Sequence, residues 1–181
     1  ARELVGGYVR LMKITRNGPA RSKTGQYTME FTTRDDIEAP IDYVFDQVTN
    51  FATFERSIIC RGGDVERIAG VDAAVVGTKW RVKFLLRGVE RSVLAEIIEV
   101  DKPNGLTFEV TSKSADATMV IELVALSRAR TRLNVKAVAK AKTIPAKLLF
   151  QSVRFTRQKN QDRFKTIVSG FAKDVETRYF G

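Results

Sequence analysis

Two polar residues interrupt an otherwise apolar helical stripe, and their types suit hydrogen bonding to a bound molecule. Leu149, Val153, Phe164, Ile167, Val168, Phe171 and Val175 recur at three- and four-residue steps, the period that puts them on one helix face. Where that period calls for apolar residues between Val153 and Phe164, the chain has Thr156 and Asn160. Either the helix leaves the core for about two turns there, or these side chains face an internal space that needs hydrogen-bonding groups. The second option is physically demanding, because a buried polar atom without a partner costs about 1–3 kcal/mol. Neither residue titrates, so both would orient a bound molecule rather than react with it.

Other reactive side chains are few. The chain has no histidine, which removes Ser-His and Cys-His nucleophile pairs and histidine-based zinc or non-haem iron sites. No acidic cluster has calcium-loop spacing. Gly62-Gly63 is followed by no phosphate-binding signature and reads as a turn. Cys60 is the one cysteine, so it forms no internal disulfide, and a reducing cytoplasm is compatible with it. Catalysis would fall to Tyr, Asp, Glu or Arg, while Glu96 and Glu122 read as outward-facing. No metal or cofactor is expected.

The elements that would position Thr156 and Asn160 follow from periodicity. Tyr27, Met29 and Phe31 alternate with polar residues in a strand running toward Ile37. Pro40 opens a short helix with Val44, Phe45 and Val48 on its apolar side; Asn50 reads as its stop, and Phe51 to Arg56 as a second helical turn. From Asp64 to Lys142 the period is two, broken by turns at Gly70–Gly77, Gly88, Asp101–Gly105 and Ser127–Arg130. The connections are short, which predicts antiparallel neighbours. Thr143 to Phe180 reads as one long helix. Just before it, Ala137, Ala139 and Ala141 share one strand face, so either the helix approaches closely or volume stays unfilled.

At 181 residues, with 44% hydrophobic and 29% charged side chains, the composition is that of one soluble globular domain. No run approaches the roughly 18 apolar residues of a membrane span, and Ala1 to Val5 does not begin a leader-like apolar stretch. The net charge of +10 is unevenly placed: residues 1–25 hold six basic and one acidic side chain, and residues 145–181 hold eight and three, so the middle is neutral. Such ends suit an anionic membrane surface or an acidic partner, or simply form a solvated basic face. No motif that reads bases is present, and a nucleic-acid partner is not expected.

The order strand, two short helices, six strands and long helix, with the segment Ile37–Phe51 and the strand entry Gly77-Thr78-Lys79-Trp80, resembles the START-like helix-grip superfamily (SRPBCC), which includes lipid-transfer and polyketide cyclase/dehydrase-like proteins. The resemblance implies an α+β fold over residues 27–181, a curved seven-stranded antiparallel sheet wrapped around the C-terminal helix; residues 1–26 stand apart as a basic appendage. It also implies a mostly apolar cavity between sheet and helix for a lipid, isoprenoid or quinone, or polyketide. Carrier or sensor is the expected role, with a cyclase- or dehydratase-like enzyme as the alternative. The expected walls are Phe45, Phe51, Phe54, Trp80, Val82, Phe84, Phe108, Val110, Leu133, Val135, Ala137 and Ala139, with Val153, Thr156, Asn160 and Phe164 from the long helix. The expected location is cytoplasmic, with peripheral contact to an anionic membrane through the basic ends.

Overall fold

Alternating strands joined by short turns build one antiparallel sheet, as the periodicity requires. The protein is described by a computed structural model covering residues 28–60, 62–70, 73–86 and 88–181; the expected appendage, residues 1–26, lies outside the described residues. In chain order the elements are β1 (Thr28–Ile37), α1 (Ile41–Val48), α2 (Phe51–Cys60), β2 (Asp64–Ala69), β3 (Lys79–Leu86), β4 (Val89–Asp101), β5 (Gly105–Thr111), β6 (Ala115–Ser127), β7 (Arg130–Ala141), α3 (Ile144–Phe155) and α4 (Arg157–Phe180). The seven strands lie in the order β1-β7-β6-β5-β4-β3-β2, so the first strand pairs with the last and becomes an edge.

Register divides the sheet into two faces. Phe31, Ala137, Met119 and Phe108 are cross-strand partners in successive pairs and share the concave face with Trp80 and Ile97. The opposite phase is polar, and ion pairs such as Lys79–Glu96 and Arg132–Asp36 lie along it. The core that closes over the concave face comes from α1, the start of α2 and the second half of α4: Val44, Phe45, Val48, Phe51, Val168, Ala172 and Val175 pack on Ile37, Ile97, Leu106, Leu123 and Leu133. α4 also runs along edge strand β1. Gln161 Nε2 donates to the Thr32 carbonyl at 2.5 Å, Ser169 Oγ donates to Asp35 Oδ2 at 2.5 Å, and the Phe164 ring centroid lies 6.1 Å from that of Phe31. An edge covered in this way offers little to a strand from another chain.

Two local expectations are corrected. Asn50 does not stop α1 so much as start α2: its Oδ1 accepts from the Thr53 amide at 3.2 Å and the Thr53 hydroxyl at 3.1 Å, satisfying an amide that the first turn of α2 leaves open. With that cap, α2 runs to Cys60 rather than ending near Arg56. The C-terminal helix is not continuous either. Thr156, at φ −110° and ψ 19°, separates α3 from α4, and its amide bonds back only three residues, to the Val153 carbonyl at 3.0 Å. Asn160 Nδ2 braces the break, donating to the Thr156 carbonyl and to its Oγ1, both at 3.0 Å. No helix among the described residues is long and apolar enough to cross a membrane.

Candidate functional site

Burial on the concave face falls off along β3 to β6, and on β7 it falls as far as Ala139 before Ala141 is buried again under α3. On β3 it passes from buried Trp80 to half-buried Val82 and Phe84; on β4 from buried Ile97 through half-buried Ala95 and Val93 to exposed Arg91. On β5 Leu106 is buried while Phe108 and Val110 are half-open, and on β6 the sequence is Leu123, then Ile121, Met119 and Ala117. On β7 Leu133 and Val135 are buried, and Ala137 and Ala139 are half-open. Register aligns these gradients, so one end of the grip is closed and the other is an apolar wall that solvent reaches. Half-buried apolar side chains on a concave face are what a hydrophobic ligand would cover.

The floor of the wall is aromatic and firmly held. Phe51, Trp80 and Phe108 meet with ring centroids 4.9, 6.4 and 6.3 Å apart. Glu55 of α2 reaches over the sheet, where its Oε1 accepts from Trp80 Nε1 at 2.8 Å and from Arg67 Nε and Nη2 at 3.0 and 2.7 Å. One carboxylate oxygen thus fixes the indole and ties α2 to β2. At the far corner Ala146 and Phe150 of α3 close on Ala141, with Met29, Ala115 and Ala139 around them. Both readings of the alanine row therefore apply: the helix comes close over Ala141 and Ala139, whereas Ala137 belongs to the half-open wall.

The sixteen residues expected as walls divide accordingly. Val82, Phe84, Phe108, Val110 and Ala137 lie half-buried on the open part, Ala139 is half-buried beside α3, and Val153, Asn160 and Phe164 are half-buried on the helices. Phe45, Phe51, Trp80, Leu133 and Val135 belong instead to the closed core, because α1, α2 and α4 land on them. Phe54 is 40% exposed and stacks on Phe171, with centroids 5.8 Å apart. Thr156 is exposed at the helix break, and the donors of Asn160 are spent on it. Val93, Ala95, Ala117 and Met119 share the open wall and are not among the expected residues. Their signal is present in the sequence, since they fall on the same alternation as Ile97 and Leu123.

Chemically the open wall is plain. None of Val82, Val93, Ala95, Phe108, Val110, Ala117, Met119 and Ala137 titrates, and Arg91, the cross-strand partner of Phe84, sits at the rim. Among the described residues no group of three His, Cys, Asp or Glu side chains could hold a metal ion. A shallow indentation of about 470 Å³ lies on the other side of the sheet, over Thr32, Arg34, Val120, Glu122, Asn134 and Lys136. It faces away from the helices.

Solved structures with the same layout decide the fold. Norcoclaurine synthase from Thalictrum flavum superposes with a TM-score of 0.63 at 13% identity, covering 87% of this chain and 99% of that one. TTHA0849 from Thermus thermophilus gives 0.62 at 16% identity, covering 83% and 99%. The ZhuI aromatase/cyclase from Streptomyces sp. R1128 gives 0.60 at 10%, covering 84% and 96%. The chain has the START-like helix-grip fold. No protein-family model matches the sequence, and no curated protein sequence matches it either. At these identities a helix-grip relative speaks for architecture, and the site has to be argued from its own residues.

Proposed function

We propose that the protein binds a hydrophobic small molecule, such as a lipid, an isoprenoid or quinone, or a polyketide, on the open part of its concave face, as a carrier or sensor. One observation carries the reading: the burial gradient shared by β3 to β6, which leaves apolar residues only half-buried on the concave face of the sheet. A row of half-buried apolar residues on a concave face leaves room for a partner that completes its burial. Binding an apolar molecule asks for dry walls and few orienting groups. A cyclase- or dehydratase-like enzyme is the second reading. It draws on helix-grip neighbours named as a synthase and an aromatase/cyclase, and it needs an acid or base on a wall where the described residues supply none. In the carrier reading the ligand is exchanged with an anionic membrane, to which the basic ends of the chain are suited.

The test is thermal stability and native mass spectrometry with a panel of fatty acids, isoprenoid quinones and aromatic polyketides. A ligand at 100 times its Kd should stabilise by about 2.7 kcal/mol, which in a domain of this size raises Tm by about 5–10 °C. Ala137→Trp, which places a large ring on the open wall, should remove that gain while leaving the Tm of the free protein nearly unchanged. If no panel member raises Tm, or if the variant binds as well as the parent, the reading is wrong.

A further inference from the structure

The open end of the grip carries apolar side chains that no part of the described fold uses. β3 and β4 continue for five residue pairs, Val82–Val93 to Leu86–Val89, beyond the row in which β5 ends at Thr111. β2 accompanies β3 only as far as the Asp64–Lys83 pair. The last three pairs therefore form a hairpin tip with no strand on either side among the described residues, and isolated two-stranded tips are marginal in water. This tip presents Leu85 at 70% exposure on one face and Val89 at 50% on the other.

At the same end of the sheet α3 begins directly after β7. Its inner face holds Ala146 and Phe150, yet its outer face carries Ile144 at 73% and Leu148 at 60% exposure, so the helix is apolar on both sides. A helix of that pattern normally has cover on both sides. Charge at this end is mainly positive. Arg91, Lys113, Lys140 and Lys147 make no ion pair among the described residues, Lys83 and Lys142 are paired with Asp64 and Asp116, and Glu90 is the unpaired acid.

We propose that this end, the hairpin tip together with the outer face of α3, docks on an anionic lipid surface. The two apolar prongs, on β3–β4 and beyond β7, are separated by β5 and β6, a lateral span of roughly 14 Å from β4 to β7 at the usual strand spacing. A fluid bilayer interface accepts both prongs without matching their shape, and the surrounding cations favour anionic headgroups. The half-buried part of the concave face lies toward this end, so docking would bring it close to the lipid. The proposal deepens the ligand-binding reading above, and its test uses no ligand, so that either can fail alone.

The full chain is sedimented with vesicles of phosphatidylcholine containing 30% phosphatidylglycerol, with pure phosphatidylcholine vesicles as the comparison. Binding should be at least tenfold stronger to the anionic vesicles and should weaken at least tenfold in 0.5 M salt. Leu85→Ser with Val89→Ser, and separately Ile144→Ser with Leu148→Ser, should each weaken it at least fivefold, with circular dichroism and Tm close to those of the parent. Lys113→Glu with Lys147→Glu should weaken binding to anionic vesicles alone. No vesicle binding overturns the proposal. So does binding unchanged in all three double variants, which would assign it to the basic residues 1–25. So does a dimer of the parent chain that the serine variants convert to monomer, which would make this face a contact between copies. Ala137→Trp should keep its vesicle binding whether or not the ligand reading holds.

Discussion

Glu55 shows how much can depend on one oxygen atom. Its Oε1 is the acceptor for Trp80 Nε1, and Trp80 is 5% exposed, so a replacement leaves a buried donor without its partner. Glu55→Ala should destabilise by about 1–3 kcal/mol, read as a drop in Tm and as a change in Trp80 fluorescence, this being the single tryptophan. Asp36, on the convex face, is a different case. The hydrogen bond from Arg132, and next to it the charges of Arg132, Arg130 and Arg34 set against a desolvation that works the other way, hold its carboxyl below the ordinary value of 3.8. A carboxylate held low in the native state stabilises at pH above its unfolded pKa and loses that contribution as pH falls through the native value. Asp36→Asn should therefore be less stable than the parent at pH 7, with the two converging as the pH falls below about 4. Urea titrations at several pH values check this, and a difference that widened in acid would contradict it.

At the scale of elements, the turn between β4 and β5 and the break between α3 and α4 make opposite demands on side chains. Gly105 is buried with φ +152°, and a Cβ there would press on the Ile121 carbonyl of the neighbouring strand. Neither backbone can yield without losing sheet pairing. Gly105→Ala should cost more than about 3 kcal/mol, seen as a large fall in the urea midpoint. The helix break instead depends on the Asn160 amide, which braces the Thr156 carbonyl and hydroxyl. These groups are partly or fully exposed, and water can replace the bonds. Asn160→Ala should therefore cost only about 0.5–1.5 kcal/mol, with the change measured by circular dichroism at the thermal midpoint. A loss several times larger would mean that the break is held against strain.

For the whole molecule the consequence is a gradient of stability that follows the gradient of burial. Backbone amides near Ile37, Ile97, Thr131 and Leu133 lie under the closed core, where side chains are 0 to 2% exposed, and should exchange only through global unfolding. Amides near the β3–β4 tip lack neighbouring strands and should exchange faster by several orders of magnitude. Hydrogen exchange with mass spectrometry would resolve the two ends. A bound ligand should slow exchange at Val93, Val110, Ala117 and Ala137 far more than at Ile97. Uniform protection with or without ligand would remove the basis for an open wall.

The seven strands, the two short helices after β1 and the apolar period of the C-terminal helices were legible in the chain alone, because a two-residue or 3.6-residue repeat is a local property. Equally legible were the lack of histidine chemistry and the excess positive charge toward the chain ends. Alternation placed Val82, Phe84, Val110 and Ala137 on one face together with Trp80, Leu133 and Val135, but it makes all of these look alike. Which were sealed and which were left open depended on where α1, α2 and α4 settled on the sheet, through contacts between residues more than a hundred positions apart such as Glu38 with Glu176 and Asp35 with Ser169. The break at Thr156 escaped for a related reason: a polar pair in a helical stripe reads the same whether it faces a ligand, faces water or, as here, braces itself. Only the packed chain separates these cases, because burial belongs to an arrangement of elements and no single element carries it.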